Sequence, residues 1–159
     1  MSDRKHALTE YMGAAHRATW PVLSGLREAD LPRKAFGEDE SLWTVADVVA
    51  HLADAESGIL GQAQRLLAGK QTVPDDFDLD RWNRSAVRRG RGRSLAELLE
   101  SILRAHGEAL KTVEATEDSA FDLIGRHSSG DLLTVEGFFR RIADHRRAHT
   151  ADIERALRS

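Results

Sequence analysis

The chain has 159 residues, 41% of them apolar and 31% charged, with a formal net charge of −3 and no cysteine. These values describe one soluble globular domain, residues 1–159, long enough to bury a single continuous core. They exclude disulfides, thiolate metal sites and a cysteine nucleophile, and they argue against a general polyanion binder.

The N-terminus, MSDRKHALTEY, is charged from its third residue and has no apolar h-region, so no signal peptide is expected. No run approaches the ~18 apolar residues that span a bilayer. The cytoplasm is the expected compartment, with no membrane partner. In the first segment Leu8, Tyr11, Met12, Ala15, Thr19, Val22, Leu23 and Leu26 recur with a helical period. Pro21 falls inside this pattern and either kinks or shortens the helix. Residues 30 to 42, with Pro32 and Gly37, read as a loop.

Thr44 is a good N-cap for a second helix, with Asp47 at the third helical position and Trp43 placed to staple onto Val48. Val45, Val48, Val49, Leu52, Ile59, Leu60, Ala63, Leu66 and Leu67 form its apolar arc, and Gly69 ends it. Residues 71 to 93 break the pattern. Their four aspartates, Trp82 and six arginines predict an irregular connection with room for one short helical turn. Antiparallel neighbouring helices need only ~2–8 linking residues, so a link this long suits a crossover back along the bundle. Helices 2 and 3 are therefore expected to run parallel.

Ser94 and Glu97 spell a capping box for the third helix, followed by Leu95, Leu98, Leu99, Ile102, Leu110 and Val113 on one arc. Residues 117 to 133, with Gly125, His127 and Gly130, read as a second loop. A fourth helix begins near Thr134 and carries Val135, Phe138, Phe139, Ile142, Ile153, Ala156 and Leu157. No strand-like alternation competes. The expected fold is all-α, a four-helix bundle with one long crossover between helices 2 and 3.

His145 and His149 stand one turn apart in the fourth helix, inside its apolar arc between Ile142 and Ala156. The spacing alone is a weak motif, although it lets the two histidines of a zinc-protease helix grip one ion. Two imidazoles facing a core each need a partner, and a shared metal ion would satisfy both. With cysteine absent, only His, Asp and Glu remain as ligands. His51 is the candidate third ligand. It falls at the edge of its arc, a position that suits a ligand reaching across a groove or a surface histidine equally. His106 reads as a satisfied core histidine rather than a fourth ligand. Glu56, central in its arc, is open as an acid ligand, as a group orienting a ligand, or as a buried ion-pair partner of Arg146. Asp152, one turn past His149, is placed to orient an imidazole. The arginine run from Arg81 to Arg93 with Trp82 invites a nucleic-acid reading. The adjacent aspartates favour a solvated connection that pairs its own charges, so no nucleic-acid partner is expected.

The stretch Trp43-Thr44-Val45-Ala46-Asp47-Val48-Val49-Ala50-His51-Leu52, the pair His145-x-x-x-His149 and the RWN of residues 81 to 83 cover nearly the whole chain between them. Together they resemble the DinB/YfiT-like superfamily of metalloenzymes, which includes the N-terminal domain of mycothiol-dependent maleylpyruvate isomerase. The resemblance implies a bundle with one unusual crossover and three ligands, one from helix 2 and two from helix 4, around a divalent metal ion, zinc or nickel. The matching positions here are His51, His145 and His149. Many members carry Gln three residues after the last histidine, where Asp152 stands in this chain. The resemblance also implies an enzyme that uses a low-molecular-weight thiol for S-transfer or isomerisation, with metal-dependent hydrolysis as the alternative. Lacking cysteine, the chain must take that thiol from a cosubstrate. The other class of function is a non-catalytic bundle that binds a small molecule or dimerises. A small-molecule substrate and a second copy, forming a homodimer, are the partners left open.

Overall fold

The computed structural model describes residues 1–35 and 43–159. The part of the expected loop at residues 36–42, including Gly37, lies outside the described residues. Among the described residues five helices follow one another: α1 (Asp3–Ser24), α2 (Val45–Leu67), α3 (Leu79–Gly90), α4 (Leu95–Ala115) and α5 (Val135–Arg158). Single 3-10 turns stand at Glu28–Asp30 and Asp118–Asp122, and a hairpin of β1 (Ile124–Arg126) and β2 (Leu132–Thr134) precedes α5. Among the described residues no helix is long and apolar enough to cross a membrane.

Each helix starts where a side-chain oxygen satisfies an orphan amide. Ser2, Asp78, Ser94 and Thr134 accept from the backbone N–H of Lys5, Arg81, Glu97 and Gly137. Thr44 and Asp47 form both bonds of a capping box: the Asp47 N–H donates to Thr44 Oγ1 at 3.3 Å, and the Thr44 N–H to Asp47 Oδ2 at 3.1 Å. At the far end of α2, Gly69 adopts φ 73°, and the Lys70 N–H turns back to the Arg65 carbonyl at 2.8 Å. A left-handed residue there favours glycine, which closes the helix. Pro21 neither breaks α1 nor ends it, because it sits in the last turn, where its missing N–H costs a single bond.

The core falls into two apolar clusters, and their membership sets the helix directions. One contains Leu23 from the end of α1, Val45 to Ala53 from the start of α2, Leu98 and Ile102 from the start of α4, and Ile153 from the end of α5. The other takes Leu8 and Met12 from the start of α1, Ile59 to Ala63 from α2, Val113 from the end of α4, and Phe138 from the start of α5. So α2 and α4 run parallel to each other, and α1 and α5 run the opposite way. The expected parallel crossover is present.

Two local expectations change. Residues 71–93 hold not one turn but the twelve-residue helix α3. Its apolar signal is faint, since only Ala86, Val87 and Gly90 are buried, and packing on α2 supplies what periodicity lacks. A Cβ on Gly90 would lie 2.3 Å from that of Ala50, so only glycine lets α3 approach this closely. The expected loop at 117–133 contains the hairpin, with Ile124 opposite Thr134 and Arg126 opposite Leu132. Three-residue strands with Ile124 and Leu132 exposed leave no alternation long enough to read.

Candidate metal centre

α2 and α5 pack side by side and bring three imidazoles together. His51 lies in the second turn of α2, beyond the Thr44 cap, and His145 and His149 share one face of α5. Their nitrogens can be chosen so that all lie within 4.8 Å of one another. Nε2 of His51 and Nε2 of His145 stand 3.0 Å apart. The ring centres of His51 and His149 are separated by 4.8 Å, and those of His145 and His149 by 4.4 Å. His51 and His149 are buried and His145 is half-buried. The edge position of His51 on its arc therefore does not expose it, because Trp43 packs at 4.9 Å on one side and the α5 histidines close the other.

A tetrahedral ion with nitrogens at zinc distance separates its ligand atoms by ~3.3 Å. The His51–His145 spacing is close to that, and the third ring is within reach, so the residues fit a divalent ion held by three neutral imidazoles. Asp152 Oδ2 lies 3.2 Å from His149 Nδ1, the ring nitrogen a metal bound at Nε2 would leave outward. Arg155 pairs with the other oxygen of Asp152.

Glu56 is fully buried and does not join the histidines. Arg146 donates to both of its oxygens, from Nε at 2.6 Å and from Nη2 at 2.8 Å, the ion-pair arrangement among its three readings. Burial raises the Glu56 pKa, while the Arg146 bonds and charge oppose the rise. Arg146 Nη1 also donates to His16 Nδ1 at 2.6 Å, and His16 stacks on His106 at 4.1 Å. Burial lowers the pKa of His106 to about 4, helped by His16 and Arg146. His106 is thus a neutral ring in a stack between α1 and α4, away from the three-histidine cluster.

A cavity of about 850 Å³ opens on the cluster, with His51 and His145 in its wall. It runs along α2 from His51 to Arg65 and is flanked by Phe77, Trp82 and the hairpin turn. α3 supplies that wall: Trp82 Nε1 donates to Asp54 Oδ2 at 3.1 Å, and Arg89 lies over the indole at 5.2 Å. Of the arginine run, Arg89 and Arg91 pair with Asp54 and Asp47 of α2 rather than with the aspartates beside them in sequence. The sequence also left His127 without a role. Folding places it in the hairpin turn and in the cavity wall, and the nearest signal was its turn setting, His-Ser-Ser-Gly.

The whole arrangement has known counterparts. The structure is similar to that of mycothiol-dependent maleylpyruvate isomerase, with a TM-score of 0.77 and 13% identity, over 94% of this chain and 60% of that one. The chain thus spans 60% of the length of that enzyme. It is similar as well to YfiT from Bacillus subtilis, described as a probable metal-dependent hydrolase with an unusual four-helix bundle topology. There the TM-score is 0.71 and the identity 18%, over 99% of this chain and 90% of that one. At such identities the likeness carries the fold alone. No curated protein sequence matches the chain significantly. The DinB superfamily model matches residues 12–153, which is most of the sequence, and the chain belongs to the DinB superfamily.

Proposed function

We propose that His51, His145 and His149 bind one divalent metal ion, zinc or nickel, and that the protein is a metal-dependent enzyme acting on a small molecule. The observation that carries this reading is the convergence of three imidazoles from two helices at the wall of a cavity large enough for a ligand. Three protein ligands leave a coordination position open, as in catalytic rather than structural sites. When bound, the ion supplies a positive charge that lowers the pKa of a thiol or water at that position.

The chain's own residues do the rest. Asp152 stands 3.2 Å from the outward nitrogen of the His149 ring, close enough to orient it once a metal is bound, and the Glu56–Arg146 pair locks α2 against α5 beside the cluster. Phe77, Val73 and Ile59 give the cavity an apolar lining that excludes water from a bound ligand. The reaction we favour is S-transfer or isomerisation with a low-molecular-weight thiol, by analogy with the mycothiol-dependent isomerase of similar fold. The chain has no cysteine of its own, so that thiol would come from a cosubstrate. The small molecule, not nucleic acid, is the proposed partner, and the cytoplasm, where such thiols accumulate, is the proposed setting.

Elemental analysis of untagged protein purified without chelator tests this. Stoichiometric zinc or nickel that disappears in His149→Ala is the expected result. Absence of a divalent metal from the wild type, with His149→Ala unchanged, overturns it in favour of a non-catalytic bundle. A thermal-shift screen with thiols then separates thiol chemistry from hydrolysis.

A further inference from the structure

Among the described residues, Trp82 of α3 is the one exposed large apolar side chain in the cavity wall. It is 46% exposed and yet held on several sides. Its Nε1 donates to Asp54 Oδ2 at 3.1 Å, the Arg89 guanidinium lies 5.2 Å from the ring, and Phe77 packs beside it at 5.8 Å, tilted by 47°. Arg89 in turn pairs with Asp54 at 3.4 Å. A loose indole would lose side-chain entropy on meeting a ligand. One already ordered has little to lose, which is what makes rigid aromatic rings effective binding anchors.

The residues beside it leave room for a flat ligand. His51, Ala55 and Gly58 stand at i, i+4 and i+7 on one stripe of α2, and all three line the cavity. A Cβ on Gly58 would meet nothing within 4 Å, so the side chains there stop short of filling the space. Asp54 lies three residues after His51, ~4.5 Å along the helix axis. Its bond to Nε1 therefore fixes the indole about one turn from that imidazole. The result is a slot with a floor of small residues, an aromatic wall, and His51 and His145 at its end.

We infer that Trp82 determines specificity by stacking on an aromatic ring of the ligand, whose reacting atom lies within about two bonds of that ring and in reach of His51 and His145. Phe77 completes the aromatic wall. The placement of the ring rests on the cavity alone. Only the part played by the reacting atom rests on the proposed metal centre.

Benzyl mercaptan and cyclohexylmethanethiol test this, since they share the thiol and differ in whether the ring is flat and aromatic. A merely apolar pocket would favour the more hydrophobic cyclohexyl compound. Calorimetric titration of metal-loaded wild type should instead show benzyl mercaptan binding about three- to tenfold more tightly. Trp82→Leu should abolish that preference. Trp82→Phe keeps a ring, loses the bond to Asp54 and should retain most of the preference, and it decides the matter should the leucine variant not fold. A tryptophan that only fastens α3 to α2 would weaken both thiols alike when replaced, leaving the preference in place. Benzyl alcohol and cyclohexylmethanol read the same slot in metal-free protein by ligand-observed NMR, and should show the same order whatever the elemental analysis finds. No aromatic preference in the wild type, one that survives Trp82→Leu, or one that Trp82→Phe loses would each overturn the inference.

Discussion

Arg146 meets Glu56 through a two-pronged bond, 2.6 and 2.8 Å, with both side chains out of water, one residue from His145 in sequence and five from His51. Two charges in that setting are costly apart and nearly neutral together. Arg146→Ala should therefore cost about 3–5 kcal/mol by leaving Glu56 buried and unpaired. The double change Glu56→Leu with Arg146→Met should be more stable than Arg146→Ala alone. Urea denaturation of the variants checks the order, and a double variant no more stable than the single one would refute it.

The Asp152 contact with His149 is the natural place to look for ligand orientation. Asp152→Asn removes the negative charge and keeps the shape. We expect metal affinity to fall about 10–100-fold, with little change in the melting temperature of the metal-free protein. Competition against a chelator of known affinity measures the first quantity. An unchanged affinity would show that the carboxylate serves only its pair with Arg155.

Acid should destabilise the fold through buried imidazoles. His106 and His127 are both lowered from 6.5 to about 4, chiefly by burial. A histidine held neutral in the folded chain binds protons only when the chain unfolds, so stability falls as pH drops from 6.5 toward 4 and levels off below. Replacing both by glutamine should flatten that slope. Melting temperatures of metal-free wild type and variant across this pH window decide the matter, and parallel slopes would count against it.

Gly90 fastens the crossover helix to α2 directly beside His51. A Cβ at position 90 meets that of Ala50 at 2.3 Å, so Gly90→Ala should cost about 1–3 kcal/mol by overpacking. Adding Ala50→Gly relieves the clash and should restore part of the loss, less the helix-interior cost of glycine, ~1 kcal/mol. Denaturation midpoints of the single and double variants report on this, and a neutral Gly90→Ala would mean that α3 is free to move away.

Four helices could be read from the chain because their apolar arcs are long and their starts carry side-chain caps. Thr44, Ser94 and Thr134 each mark a boundary that the structure keeps, and the 23-residue link implied the parallel crossover by its length alone. α3 escaped notice for the opposite reason. Its residues are mostly arginine, aspartate and small side chains, and its stability comes from contacts with Ala50 and Asp54 that lie far away in sequence.

The candidate centre divides in the same way. Local periodicity by itself determined that His145 and His149 share a face and turn toward the core, since a 3.6-residue repeat settles both. Only the tertiary structure decided that His51 is buried against them, that Glu56 belongs to Arg146, and that His127 stands in the cavity wall. Each of those facts depends on how two helices are rotated and spaced against each other. Packing of the whole core sets that relation, and no short window of sequence contains it.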